Sequence, residues 1–569
     1  MRSALGAALI LFLSTAAPFA VAQTAKSSIE GMVRSGNNTP ISGAHVTLIP
    51  ADDDSIDGKP ISENGLAEEL SLVSTLSATT DDDGKFAISN VDPEMTYRMV
   101  LRASGYVRQE YGQHTFPGIG RLINLKPGQD LKGINVTLTP TGSIEGTVRA
   151  VSGEPLQEVR IRLLRYTFNR DGTKLLQLAA STTTNDLGRY RLYFLTPGRY
   201  YLHAERIHMH ADFSRPSGTP FGPAYYPGES EISHASIIDI QPGVDRSGMD
   251  FSLSSQSLYR IRGRIIDGRT GRAIAKSSEL LNLFDLSPDA LPGGDGGFGR
   301  ALFKETYSED TGEFEFYDIP PGRYGIAGST LGEEAGGVEI VRVDADVENV
   351  RLTYGSGTMM SGTLRADGRI DLSEAEIAIR PSVFVNDDED DNEKAELSSE
   401  FKSASTRTFK FSDVFPGEYR LDIRDSTLPN DSYIKEARYG GIDALNQAFQ
   451  ISAPESRKLE IVIAPSGTLK GSLVNDQRMP LNGIRVVLIP NRLRNRPDLY
   501  KMEVADKEGH FEMHGIAPGD YKLFAWEAIE PYSWFDPEVI GRFETSGRAV
   551  HVTETSTQSV EVRVIPFVP

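Results

Sequence analysis

Ile29-Glu30-Gly31-Met32-Val33 is a short apolar–polar alternation with glycine at its centre. It returns as Ile144-Glu145-Gly146-Thr147-Val148, Ile261-Arg262-Gly263-Arg264-Ile265, Met360-Ser361-Gly362-Thr363-Leu364 and Leu469-Lys470-Gly471-Ser472-Leu473. The five glycines stand 115, 117, 99 and 109 residues apart. Alternation with a period of two marks a strand with one buried face. A spacing near one hundred residues is that of a complete immunoglobulin-sized sandwich and far exceeds a solenoid repeat. The chain therefore reads as all-β, five β-sandwich modules in tandem.

Each glycine strand leads into the same order of elements. A turn and a second alternating strand come next, as in Pro40-Ile41-Ser42-Gly43-Ala44-His45-Val46-Thr47-Leu48 and Pro480-Leu481-Asn482-Gly483-Ile484-Arg485-Val486-Val487-Leu488. A polar turn closing on glycine and an aromatic is then found at Asp81 to Phe86, Asn185 to Tyr190, Glu309 to Phe314 and Asp506 to Phe511. Acid or amide side chains cap such turns, and glycine supplies the positive φ. The fourth module offers only Phe409-Lys410-Phe411 at this point. A Pro-Gly-x-Tyr element begins the next strand at Pro197 to Tyr200, Pro321 to Tyr324, Pro416 to Tyr419 and Pro518 to Tyr521, with an outline of it from Pro93 to Tyr97. Pro-Gly suits the centre of a type II turn. Closing strands run at Ile134 to Leu138, Met249 to Leu253, Val347 to Leu352, Leu459 to Ile463 and Val560 to Val564. The expected boundaries are 23–141, 142–256, 257–356, 357–466 and 467–569, and no helical pattern of comparable strength competes.

Residues 1–22 read as a signal peptide: Arg2 is the positive n-region, Ala7 to Leu13 the apolar core, and Ala20-Val21-Ala22 the cleavage site near Ala22. The expected location is extracytoplasmic, periplasmic or secreted. With no cysteine in the chain, a thiol-linked lipid anchor is excluded and the modules rely on their cores without disulfides. No later stretch is long and apolar enough for a membrane span. A net charge of −20 disfavours nucleic acid, whose phosphates would be repelled.

The order Gly-x-Val, Pro-x-x-Gly-Ala-x-Val-x-Leu, Thr-Asp-x-x-Gly-x-Phe and Pro-Gly-x-Tyr resembles the carboxypeptidase regulatory-like domain. The first three elements are nearly intact in module one at Gly31, Pro40 to Leu48 and Thr80 to Phe86. Modules two and five match well, module three is interrupted by the glycine-rich Pro292 to Gly299, and module four is the most diverged. The resemblance implies a transthyretin-like β-sandwich, related to collagen-adhesin B-type modules and grouped with carbohydrate-binding-like folds. It is specific for fold and says little of function, because such modules accompany enzymes, adhesins and receptors.

Zinc-peptidase chemistry lacks its signature. His551-Val552-Thr553-Glu554 lies in a terminal strand with no room for a second histidine downstream, and no His-Glu-x-x-His occurs. His208-Met209-His210, with His203 and Asp212 nearby, places two imidazoles on one strand face but lacks a fixed fourth ligand. The acidic runs Asp52 to Asp54, Asp81 to Asp83 and Asp387 to Asp391 have no EF-hand order and read as solvated loops or turns. Lys470 alternates with core positions and should point outward, against an internal isopeptide crosslink. No metal, cofactor or catalytic residue is assigned.

The segment after the Pro-Gly-x-Tyr strand is aromatic in four modules: Tyr106 to Tyr111, Phe221 to Tyr226, Tyr433 with Tyr439, and Trp526, Tyr532, Trp534 and Phe535. Both tryptophans of the chain fall in the last of these. Flat rings on a loop can stack on a sugar, anchor a protein, or pack between modules. Trp526, Tyr532, Trp534, Phe535, Tyr225 and Tyr226 are the candidate ligand residues, with Trp534 and Phe535 foremost. The expected function is non-catalytic binding, to a glycan or a cell-envelope protein, by a rod of exported modules. The alternatives are a mechanical spacer and a hydrolase with an unrecognised acid pair.

Overall fold

The computed structural model describes residues 25–567 apart from 52–75, 207–220, 274–279, 287–303, 330–337, 383–392 and breaks of one to three residues elsewhere. The leader, the Asp52 and Asp387 runs, the His208 cluster and the glycine-rich insertion therefore lie outside the described residues. The described chain is all-β, arranged as a series of two-sheet sandwiches.

In every module the glycine strand is central to one sheet. Ser27–Ser35 pairs antiparallel with Lys85–Val91, the strand after the polar turn, and parallel with the closing strand Asp130–Leu138. The same three-way pairing is made by Gly142–Ala150, Tyr259–Asp267, Thr358–Ala366 and Gly467–Val474. The parallel pairing of first and last strands closes each module upon itself. The second sheet joins the strand after the proline turn to the tyrosine strand, as His45–Pro50 joins Thr96–Arg102.

Register explains the glycine. Gly31 lies opposite Phe86, Gly146 opposite Tyr190, Gly263 opposite Phe314, Gly362 opposite Phe409 and Gly471 opposite Phe511. A Cβ on Gly31 would sit 2.3 Å from the Ile134 carbonyl oxygen and 2.7 Å from the Phe86 ring. The aromatic lies across the glycine and fills the volume that a side chain would occupy. Module four, without a recognisable turn, keeps this pair through Phe409.

The polar turns are capped as expected. Asp81 Oδ1 accepts from the N–H groups of Asp83 and Lys85, Asn185 Oδ1 from Leu187 and Arg189, and Asp506 Oδ1 from Glu508 and His510. The Pro-Gly elements differ from the expected type II turn, since Gly322, Gly417 and Gly519 do not adopt positive φ. Each tyrosine ring folds back over its glycine. The hydroxyls of Tyr200, Tyr324 and Tyr521 donate to the carbonyls of Thr196, Pro320 and Ala517, tying the strand to its own entry.

Five separate cores result, built around Val46, Leu163, Ile326, Phe411 and Leu488. Module five has a second one on the other face of its sheet, where Val487, Ile489 and Phe524 pack with Trp526, Trp534 and Ile540. That core is roofed by a helix that no sequence pattern announced, Pro537–Phe543, capped by Asp536, whose carboxylate accepts from the Glu538 N–H at 2.8 Å. Seven residues are too few for a periodic signal.

The modules do not string out as a rod. His114 of module one stacks on Phe567 of module five at 4.8 Å, and a Cβ on Gly483 would come 3.3 Å from the Leu122 carbonyl oxygen. A Cβ on Gly172 of module two would meet the Phe535 ring at 2.9 Å. Arg165 of module two donates to the Phe116 carbonyl of module one at 3.0 Å. The fifth module folds back onto the first two, because its apolar outer face and Phe535 gain cover there.

Candidate functional site

In modules one, two, four and five the tyrosine strand leads into the aromatic segment, and most of those rings turn back onto their module. Tyr225 is 7% exposed, inside a small cluster with Leu164, Leu176 and Ile232, and Tyr226 packs edge-on to Phe251 in the module-two core. Trp526 is 5% exposed and stacks on Phe524 at 5.2 Å. Tyr106, Tyr111 and Tyr439 likewise pack against their modules' cores. Tyr106, Tyr111, Tyr226 and Tyr439 thus add to the main cores, while Tyr225 and Trp526 belong to separate smaller clusters.

Tyr532, Trp534 and Phe535 are placed differently. They line one wall of a cleft of about 600 Å³ between modules four and five. Trp534 is 4% exposed, wedged edge-on against Tyr532, while Tyr532 and Phe535 are half-buried. Phe535 also contacts Tyr500, ring to ring at 4.5 Å. The residue that turns the chain here is Tyr532, in the left-handed region at φ 60°.

The rest of the cleft is charged. Arg496 grips Asp498 with two contacts of 2.6 Å, Arg380 approaches Asp422 at 3.6 Å, and His514 meets Asp431 at 2.8 Å. Lys501 and Arg420 have no ion-pair partner among the described residues. Burial pushes the Lys501 ammonium below its ordinary pKa, and Asp498 opposes that shift. The wall of rings thus faces paired carboxylates and two cations free to meet a ligand. The rings were legible in the sequence and the cations were not, because Arg420 belongs to module four, Lys501 lies on another strand of module five, and no spacing links either to Trp534.

Of the histidine candidates, His203 and His551 lie among the described residues. His203 is fully buried beside Tyr225, and burial, helped by the Arg162 charge, pushes its pKa down to about 3. His551 lies 2.7 Å from Asp520 while Glu554 meets Lys435 at 3.5 Å, so the terminal His-x-x-Glu is divided between partners. Among the described residues no three His, Asp or Glu side chains come together as metal ligands. Lys470 pairs with Glu512 at 2.8 Å at the surface. No helix among the described residues is long and apolar enough to cross a membrane.

Residues 28–139 match the carboxypeptidase regulatory-like domain, so the resemblance holds over the first module. No curated protein matches the chain. Solved structures similar to it include a streptococcal ancillary pilin, 11% identical with a TM-score of 0.21, over 58% of this chain and 99% of that one. The minor pilin GBS52 of Streptococcus agalactiae is 16% identical with a TM-score of 0.22, over 41% of this chain and 97% of that one. The TIE protein of Bacillus anthracis is 13% identical with a TM-score of 0.13, over 74% of this chain and 68% of that one. TM-scores this far under 0.5 carry nothing about function.

Proposed function

We propose that this chain, whose first module is of the carboxypeptidase regulatory-like type, is an exported non-catalytic binding protein. Its ligand, a glycan or a cell-envelope protein, is held in the cleft between modules four and five. The observation that carries this reading is the meeting of Tyr532, Trp534 and Phe535 with Lys501 and Arg420 in one cleft. An aromatic face binds the flat apolar side of a ligand at low entropic cost, and an unpaired cation beside it orients a polar or acidic group. Tyr532 and the part of Phe535 that module two leaves uncovered offer the accessible surface, while Trp534 supports them from behind.

The chain contains two tryptophans, and Trp534 lines the cleft, so intrinsic fluorescence reports occupancy. The purified protein is screened on a glycan array and against isolated envelope proteins, and hits are titrated by fluorescence. Lys501→Met, which keeps the packed stem, and Tyr532→Ala should each weaken binding by about tenfold or more. Hits that leave the fluorescence unmoved and ignore both substitutions would exclude this cleft as the site.

A further inference from the structure

The strand after each polar turn carries the same irregularity. Its pairing with the glycine strand slips between Ile88 and Val91, Leu192 and Leu195, Phe316 and Ile319, Phe411 and Val414, and Met513 and Ile516, a β-bulge repeated in all five modules. Its second residue is left-handed: Asn90 at φ 63°, Asp318 at φ 58° and Gly515 at φ 67°. Asn, Asp and Gly are the residue types that tolerate this conformation. Module two breaks the rule with Phe194 at φ 57°. A bulky aromatic in that region is an outlier that the surrounding structure must hold in place.

Phe194 gains no burial in exchange. It is 65% exposed, and Tyr193, 64% exposed, stands edge-on to it at 5.1 Å. Phe194 borders a cleft of about 510 Å³ between modules one and two, with Phe116 and Tyr106 on its walls. Arg102 and Arg108 also line it, with Arg165, which donates to the Phe116 carbonyl and has Glu530 near it; the carboxylate among the lining residues, Glu110, is held in a buried ion pair by Arg98. On a chain of net charge −20 this is a cationic, ring-lined pocket.

We propose that the cleft between modules one and two is a second binding site, for an acidic oligosaccharide whose uronate carboxylates meet the arginines while its sugar faces stack on Phe194 and Tyr193. A chain of pyranoses bearing a carboxylate on each ring repeats a flat C–H face beside an anionic edge, which matches a ring next to a guanidinium. An acidic peptide offers the charge without the flat face. The site is independent of the cleft between modules four and five.

The test uses the full mature chain and tetragalacturonate, with maltotetraose as the neutral control and a tetraglutamate peptide as the charge control, by isothermal titration calorimetry. Tetragalacturonate should bind, and both controls should bind at least about tenfold more weakly. Phe194→Asn restores a residue suited to the bulge, so it should raise the melting temperature and weaken tetragalacturonate binding by about tenfold or more. Arg102→Ala should weaken binding as well, and the gap between it and the wild-type chain should widen as salt is lowered. Equal binding of the peptide would overturn the saccharide assignment. Undiminished binding by Phe194→Asn, or no binding of tetragalacturonate at all, would overturn the site.

Discussion

His203 shows how a single side chain in this protein departs from its sequence reading. Its sequence neighbourhood set it near His208, His210 and Asp212 without assigning a metal, and nothing there announced that it lies buried with Arg162 close by, where its pKa falls to about 3. The folded state therefore binds its proton less readily than the unfolded chain, whose histidine titrates near 6.5. Stability from this group is complete above pH 6.5 and declines as pH falls from there toward 3, at about 1.4 kcal/mol per unit. Hydrogen exchange on the strand Gly198–Arg206 should show protection falling over that window, and His203→Met should flatten the dependence. An unchanged slope in the variant would assign the effect to another group. The tryptophans make a related point. Their rarity drew attention to module five, but composition does not tell a ring that roofs a sheet, as Trp526 does, from one that borders a cleft, as Trp534 does.

At the scale of elements the sequence was most legible, because the signals are local. The glycine strand, the capped turn and the tyrosine strand each satisfy a steric or hydrogen-bonding demand within a few residues, and all are found in the structure. The coupling between elements stayed concealed. Gly146 and Tyr190 are linked only through register, and a Cβ at Gly146 would lie 2.0 Å from the Met249 carbonyl oxygen. Gly146→Ala should thus destabilise the module by about 2–4 kcal/mol, measured by chemical denaturation. Tyr190→Leu in the same chain should give no rescue, since the clash is with backbone; a rescue would mean that the ring alone excludes the side chain. The bulge was equally hidden. Its Asn, Asp, Phe and Gly share no chemistry until their common backbone conformation is seen, and only then does Phe194 stand out.

For the whole molecule, tandem modules suggested a rod, and neither cleft could be read from the sequence, because each joins residues of two modules. The fold-back of module five also carries a charge-sensitive contact. Glu530 lies half-buried near Arg165 of module two, and desolvation lifts its pKa from 4.5 to about 7 despite that cation. A carboxyl raised in this way favours the contact when protonated, so the closed arrangement is strongest below pH 4.5 and weakens as pH rises through 7. The most direct test places spin labels on Lys174→Cys and Glu538→Cys, exposed positions beside Gly172 and Phe535 and the only thiols in a chain that has none of its own. Pulsed electron double resonance at about pH 5.5 should give one narrow distribution at short distance, with a longer population growing by about pH 8 and suppressed in Glu530→Gln. A single long distance at both pH values, as for modules two and five held apart by modules three and four, would contradict the folded-back arrangement.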